Sequence, residues 1–262
     1  MKNHFFIGYS GNKRQEVENM YNYIKTLKNI NIIVEPFCGS SALSYYISTQ
    51  EPNKYTYILN DNDKNLIELY NTARDENKFN DLINECNELM KDINKEKYLK
   101  IFSNNKLSGW LISHKVYNIR PGLFPIGDRL KSYLKPNYFN YLRECPIINF
   151  IKTEKIEFTN IDAIDLYKNY SNNKKAFIFL DPPYLTLNND FYANHNVNIY
   201  EYLYNNDIKK SKAHIMLCLN DVWIIRLLFK NNIKESYDKK YESSKQQVQH
   251  FIIANFYIYN II

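Results

Sequence analysis

Residues 176–185, AFIFLDPPYL, decide the fold, because an apolar run stops there at an acid, two prolines and a tyrosine. Residues 176–180 are apolar at every position, which is typical of a central strand in a parallel sheet that is covered on both faces. Proline has no N–H to donate, so strand pairing ends before Pro182. In open α/β sheets, ligands bind at the carboxyl ends of the strands. The sequence therefore predicts that Asp181 lies at a ligand-binding edge.

The tetrapeptide Asp181-Pro182-Pro183-Tyr184 is also rare by chance. At average residue frequencies of about 5%, it arises in roughly one chain in a thousand of this length. A stiff turn that only ends the strand is the alternative interpretation. The position directly after a buried strand favours a functional motif.

Two earlier strand candidates end in similar residues. NIIVEPF at 31–37 contains Glu35 and leads into a turn at Gly39, and TYILND at 56–61 ends in Asp61. A glycine turn brings backbone N–H groups close to a ligand, and an acid about 20 residues further on can accept hydrogen bonds from a ribose. The spacing of Gly39 and Asp61 fits this pattern. An ordinary strand–helix turn stays open as an alternative, because dinucleotide fingerprints carry three glycines and this turn carries one.

The order of elements predicts an α/β fold. Strand candidates lie at 31–37, 56–61, 156–162, 176–181 and 214–220. Helical patterns alternate with them, and the tail after residue 232 has the pattern of an antiparallel hairpin. This alternation indicates a mostly parallel sheet with helices on both faces.

The segment 103–146 differs from the rest of the chain. It holds half of the six glycines and three of the eight prolines before Pro146, together with scattered basic and aromatic residues. We interpret it as a small, loop-rich inserted lobe. The main domain would then comprise residues 1–102 and 147–262.

Composition narrows the class of protein. The 262 residues are 45% hydrophobic, yet the sequence has neither an apolar run of membrane-spanning length nor the pattern of a signal peptide. Its four cysteines form no C-x-x-C pair, which indicates packing residues and no structural zinc. We therefore expect a cytoplasmic protein, in the host cytoplasm if the source is viral. The net charge of +6 fits nucleic-acid binding but does not require it, because a lysine-rich solvated surface gives the same charge.

A third motif completes a set that resembles a known family. The stretch IGYSGNKRQE at 7–16 contains the pattern aromatic-x-Gly-x-Lys, from Tyr9 to Lys13. With VEPFCGSS, YILNDNDKNLIELYN and FLDPPYL, it makes the chain similar, over nearly its whole length, to the Dam-type, D12 class N6-adenine DNA methyltransferases of bacteria, phages and viruses. Two departures are Ser41 in place of a second glycine and Tyr9 in place of a tryptophan. The stretch 104–129 aligns poorly and would carry the target recognition.

The resemblance implies a Rossmann-like fold and S-adenosylmethionine as the cofactor. An aromatic face such as that of Tyr9 can stabilise the sulfonium cation of this cofactor. The family assigns Lys13 and the backbone from Phe37 to Gly39 to the amino-acid end, and Asp61 to the ribose hydroxyls. The full set of expected cofactor contacts is Tyr9, Lys13, Glu35, Phe37, Gly39, Asp61 and Asp181.

The resemblance also implies the chemistry, which is methyl transfer to N6 of an adenine in double-stranded DNA. Asp181 and the Pro182 carbonyl would accept hydrogen bonds from N6–H, Pro183 would stiffen the loop, and Tyr184 would stack on the base. The base has to leave the helix to be reached, so we expect base flipping. Candidate DNA contacts in the inserted lobe are Lys115, Arg120 and Arg129. We expect a monomer or a weak homodimer.

Two alternatives share the fold but not the activity. One is methylation of RNA, or of glutamine in a protein, although those relatives usually carry Asn where this chain has Asp181. The other is a DNA-binding pseudoenzyme that has lost turnover. Ser41 permits the second alternative, whereas the intact stretch 181–184 and Asp61 favour an active enzyme.

Overall fold

The computed structural model describes residues 4–7, 13–104, 106–117, 135–184, 199–206, 208–240 and 247–256. Within them, the strands are β1 Ile32–Glu35, β2 Thr56–Asn60, β3 Lys155–Thr159, β4 Ala176–Leu180, β5 His214–Asn220, β6 Ile233–Lys240 and β7 Gln247–Ala254. They form one sheet in the order β3-β2-β1-β4-β5-β7-β6. The first five pair in parallel, and β7 is antiparallel to both β5 and β6. This topology confirms the predicted α/β, Rossmann-like fold with its carboxyl-terminal antiparallel hairpin.

Helices cover both faces of the sheet. Their bounds are α1 Val17–Ile24, α2 Ala42–Gln50, α3 Lys64–Arg74, α4 Glu76–Leu89, α5 Lys95–Ser103, α6 Leu107–Tyr117, α7 Ile147–Thr153, α8 Ala163–Ser171, α9 Ile199–Asn206 and α10 Trp223–Phe229. Short 3-10 turns lie at Tyr138–Glu144 and Ile208–Lys210. Aspartates begin several of these helices; Asp63, for example, accepts hydrogen bonds from Asn65 N and Leu66 N at the start of α3.

Strand β4 shows why its sequence is apolar throughout. Phe177 and Phe179 belong to the core on one face of the sheet, while Ile178 and Leu180 belong to the core on the other. Successive side chains of a strand point to opposite faces, so a central strand that is covered twice needs apolar residues at every position.

The chain order reverses beside β1. Strand β1 pairs with β2 on one side and with β4 on the other, so the crossover connections leave it in opposite directions. In open α/β sheets the crevice at such a switch point is the ligand site. Glu35 ends β1 and Asp181 directly follows β4, which places both acids at this edge.

The described part of 103–146 is more regular than its composition suggested. Residues 107–117 form α6, and Leu111, Ile112, Phe139 and Leu142 are fully buried in the same core that holds Phe177. Prolines 121 and 125 and glycines 122 and 127, on which the loop-rich interpretation largely depended, lie outside the described residues. The division into a main domain and an inserted lobe therefore stays a prediction.

Gly109 has a packing role inside α6. A Cβ at this position would lie 2.7 Å from the backbone carbonyl oxygen of Ile101 in α5. The missing side chain thus permits close approach of two consecutive helices, and the residue does not mark a turn.

Candidate functional site

Two distant parts of the chain, Lys13 and the turn from Asp181 to Tyr184, meet at the carboxyl end of β4. The Lys13 ammonium donates to Oδ2 of Asp181, and the Tyr184 hydroxyl donates to Oδ1 of the same carboxylate at 3.4 Å. The Lys13 nitrogen also lies 5.5 Å from the centroid of the Tyr184 ring. Both oxygens of Asp181 therefore accept a hydrogen bond from the protein itself.

The Asp-Pro-Pro-Tyr turn is held by further contacts. The Tyr200 hydroxyl donates to the Pro183 carbonyl oxygen at 2.6 Å. Tyr184 is 4% exposed, and its ring lies edge-on to His250, with ring centroids 5.2 Å apart. The aromatic ring that we expected to stack on a base is thus packed into the protein, while Asp181 remains partly accessible.

Glu35 connects the end of β1 to the beginning of α2. Its Oε1 accepts hydrogen bonds from the backbone N and the hydroxyl of Ser44. The side chain is buried, and this burial raises the pKa of Glu35 to about 7. Between Glu35 and Ser44 the backbone contains two residues in the left-handed conformation, Gly39 with a φ of 45° and Ser41 with a φ of 53°. Gly39 adopts this conformation without strain, whereas Ser41 does so at a cost.

Asp61 is bonded directly to this turn. The Gly39 N–H donates to Asp61 Oδ2 at 2.9 Å, and the Asp63 N–H donates to Asp61 Oδ1 at 3.0 Å. Burial raises the pKa of Asp61 to about 6. The Tyr70 hydroxyl donates to the Gly39 carbonyl at 2.7 Å and fixes the other side of the turn. Gly39 and Asp61, which their spacing predicted to serve one ligand, are therefore hydrogen-bonded to each other in the structure.

Asn60 joins the ends of three strands and was not singled out from the sequence. Its amide donates to the carbonyls of Pro36 and Ile161, each at 3.0 Å. Its oxygen accepts from the Thr159 hydroxyl and the Ile161 N–H, each at 2.9 Å. Because Asn60 is 1% exposed, its own amide depends on these four bonds. The sequence signal was its place beside Asp61 at the end of an apolar strand.

Of the remaining predicted site residues, two lie in the described part of the chain. Phe37 is partly buried and packs against the core that contains Ile178 and Leu180. Lys115 lies in α6 with its nitrogen 5.0 Å from the Tyr141 ring centroid, and burial lowers the pKa of Lys115 to about 8. Tyr9, Arg120 and Arg129 lie outside the described residues.

The polar groups at this edge suit a nucleoside cofactor. Carboxylate oxygens can each accept two hydrogen bonds, and Asp61 receives one backbone bond at each oxygen, which leaves capacity for ribose hydroxyls. The left-handed turn at Gly39 has no side chain that would keep a ligand from the backbone. In the described part of the chain, no group of His, Cys, Asp or Glu could hold a metal ion.

The sheet topology, together with the Asp-Pro-Pro-Tyr turn at the switch-point edge, defines a class, that of the Rossmann-like methyltransferases. Residues 9–120 match the family profile of the D12 class N6 adenine-specific DNA methyltransferases. The chain is also 26% identical over 247 residues to Type II methyltransferase M.CviBI of Paramecium bursaria Chlorella virus NC1A, covering 90% of each chain. These findings support a D12 class adenine methyltransferase, and with it site-specific N6 methylation of adenine in DNA. Both findings support the resemblance that the motifs indicated.

The match implies a methyl donor and a DNA substrate. It ends at residue 120 and so does not reach Asp181, whereas the similarity to the viral methyltransferase extends over 90% of the chain. No helix among the described residues is long and apolar enough to cross a membrane.

Proposed function

We propose that the chain transfers a methyl group from S-adenosylmethionine to N6 of an adenine that has been flipped out of double-stranded DNA, with Asp181 as the central catalytic residue. The observation that carries this proposal is the position of Asp181 at the switch-point edge, with its carboxylate partly accessible and held by Lys13 and Tyr184. When bound, the cofactor would supply a methyl group on a sulfonium, whose sulfur–carbon bond would break to leave a neutral thioether as N6 gains the methyl group and releases one proton.

In this proposal Asp181 and the Pro182 carbonyl accept hydrogen bonds from the N6 amine. The lone pair of that amine is delocalised into the adenine ring, and a hydrogen bond to a carboxylate draws electron density back onto the nitrogen. Orientation by a stiff turn makes up much of the effect, because a fixed acceptor needs no reorganisation in the transition state. The hydrogen bond from Tyr200 to Pro183 supports that stiffness.

The adenine has to share Asp181 with the residues that already contact it. Each oxygen of Asp181 accepts one bond in the structure, and each has capacity for a second. The N6 amine can therefore add to the existing bonds or replace one of them. Tyr184 is buried, so stacking on the base would require that its ring move or that the base approach along the exposed edge of the turn.

The cofactor is proposed to lie along the ends of β1 and β2. Asp61 would accept from the ribose hydroxyls, while Lys13 and the Phe37–Gly39 backbone would contact the amino-acid end. Glu35 orders this turn through Ser44, so its role would be to support the cofactor site. Tyr9 would face the sulfonium. DNA would be contacted by Lys115, Arg120 and Arg129 in a complex with a monomer or weak homodimer.

A substrate panel tests the proposal. Wild-type protein is incubated with methyl-labelled S-adenosylmethionine and, separately, unmethylated duplex DNA, single-stranded DNA, RNA and a protein extract. We expect label in duplex DNA, recovered as N6-methyladenine at one short sequence after mapping of the modified positions. Label in RNA or protein alone would contradict the proposed substrate, and cofactor binding without transfer to any substrate would favour a pseudoenzyme.

A further inference from the structure

His250 lies against the catalytic turn although it comes from the last strand. It pairs with Asn220 in the antiparallel register of β5 and β7, which puts it beside the carboxyl end of β5 and therefore at the same edge as Asp181. Its side chain is fully buried. Its Nδ1 lies 3.3 Å from the Tyr184 hydroxyl oxygen, and the Tyr237 ring covers it at 5.6 Å between centroids.

The direction of the hydrogen bonds follows from the chemistry of the groups. An ionised carboxylate can only accept, so the contact between Tyr184 and Asp181 requires the tyrosine to donate its one hydroxyl hydrogen to Oδ1. The Tyr184 oxygen then acts as acceptor towards His250, and Nδ1 of the histidine has to carry a hydrogen. The result is a chain of donors from His250 through Tyr184 to Asp181, with Lys13 on the opposite oxygen.

The protonation state of His250 agrees with a neutral donor. Burial, with added repulsion from the Lys13 and Lys239 ammonium groups, lowers the pKa of His250 to about 3. The imidazole is therefore neutral at physiological pH and carries one N–H. In such a neutral ring, the hydrogen-bond partners determine which nitrogen carries the hydrogen.

We infer that His250 is a positioning residue for the methyl transfer: its Nδ1–H holds the Tyr184 hydroxyl, which in turn holds the Asp181 carboxylate in the orientation that accepts N6–H. This role rests on the proposed function of Asp181. The hydrogen bond and the edge-on contact with His250 hold the Tyr184 ring in one orientation. The Tyr184 hydroxyl then holds Oδ1 of Asp181, while Lys13 contacts Oδ2. Networks of this kind orient a catalytic group without touching the substrate.

The test compares two replacements at His250. His250→Asn places an amide N–H near the position of Nδ1, whereas His250→Phe keeps a ring but removes the donor. We expect His250→Phe to lower kcat about tenfold with the KM for S-adenosylmethionine changed by less than about twofold. His250→Asn should recover kcat to within about threefold of wild type. His214→Phe is the matched control, because His214 begins β5 and contacts Phe256, away from the turn.

A double-variant cycle separates positioning from packing. In a Tyr184→Phe background there is no hydroxyl to hold, so His250→Phe should lower kcat no further. Thermal unfolding of every variant establishes that the proteins compared are folded. Wild-type kcat in folded His250→Phe, equal kcat in the Asn and Phe variants, or full additivity with Tyr184→Phe would overturn the inference.

The tautomer of His250 can be determined without an activity assay. Nitrogen NMR of histidine-labelled protein, assigned with His250→Asn, should show a protonated Nδ1 and a bare Nε2 for His250. A bare Nδ1 would overturn the inference. Wild-type protein that transfers no methyl group to DNA would contradict the proposed function instead, and the NMR result distinguishes that failure from this one.

Discussion

Lys13 and Asp181, which are 168 residues apart in the chain, form an ion pair at the carboxyl edge of the sheet. The Lys13 side chain is 2% exposed and that of Asp181 is 18% exposed, so solvent screens the pair little. The contact ties the segment before α1 to the end of β4. Folding of the amino-terminal segment is thereby coupled to the geometry of the proposed catalytic carboxylate.

The ion pair predicts a coupling in stability. Lys13→Met leaves the Asp181 carboxylate without this ammonium, and we expect the free energy of unfolding to fall by about 3 kcal/mol. In the double variant Lys13→Met/Asp181→Asn, the free energy of unfolding should fall by less than the sum of the two single losses. The reason is that the double variant contains neither charge of the pair, so no buried charge is without its partner. Urea denaturation measures all four proteins. Lys168→Met is the control, because Lys168 and Asp165 form an exposed pair whose loss should leave the free energy of unfolding unchanged. Strict additivity would contradict the coupling.

Asn60 predicts a large effect from a one-atom change. Asn60→Asp replaces the amide that donates to the Pro36 and Ile161 carbonyls with an acceptor, and it adds a charge in a buried position. We expect a loss of about 3 kcal/mol in the free energy of unfolding and weaker binding of S-adenosylmethionine. Asn231→Asp, at an exposed position after α10, is the control and should change neither quantity. Wild-type stability of Asn60→Asp would show that the three strand ends do not depend on this amide.

Glu35 predicts a pH dependence of stability. Its pKa in the folded protein is about 7 against an ordinary value of 4.5, so between these pH values the folded state binds more protons than the unfolded state. Stability contributed by Glu35 is therefore greatest at low pH and falls as pH rises through about 7, by up to about 3 kcal/mol. Glu35→Gln should remove this fall.

The measurement is the difference in unfolding free energy between pH 5 and pH 8, compared between wild type and Glu35→Gln. His250 acts in the opposite direction, because its lowered pKa makes the folded state lose stability as pH falls below 6.5. That contribution is common to both proteins and cancels in the comparison. An equal pH dependence in both proteins would show that Glu35 does not titrate in this window.

Ser41 predicts a stabilising substitution. Its φ of 53° lies in the left-handed region, which costs a residue with a Cβ about 1 kcal/mol. Ser41→Gly should raise the free energy of unfolding by several tenths to about 1 kcal/mol, with binding of S-adenosylmethionine retained. Ser44→Gly is the contrasting control, since it removes a hydroxyl that bonds Glu35 inside α2 and should destabilise. Destabilisation by Ser41→Gly would show that the serine side chain itself is required.

Much of the fold could be predicted because its signals are local. Apolar runs that end at an acid fixed the positions of β1, β2, β4 and β5, and residues 214–220 form β5 as expected. The spacing of Gly39 and Asp61 predicted that they serve one ligand, but it did not predict the direct hydrogen bond between them. The alternation of strands and helices predicted the mostly parallel sheet, whereas the strand order and its switch point came only from the structure.

The contacts around Asp181 could not be predicted, because they join residues far apart in the chain. No local pattern connects Lys13 or His250 with the turn, and burial of the Tyr184 ring depends on β7 packing against β5. Residues 103–146 illustrate a different limit. Gly109 was counted as a sign of loop, but it lies in a helix where a neighbouring backbone excludes a side chain. Composition cannot separate these two reasons for a glycine.

The most direct test of the account is the single-turnover rate of N6-methyladenine formation in duplex DNA by wild type, Asp181→Ala and Asp165→Ala. Binding of S-adenosylmethionine is measured on the same samples. Asp165 is an exposed acid on α8 and serves as the matched control. We predict that Asp181→Ala lowers the rate by at least about a hundredfold, with the cofactor still bound, and that Asp165→Ala is unchanged. A wild-type rate in folded Asp181→Ala would contradict the central role of this carboxylate.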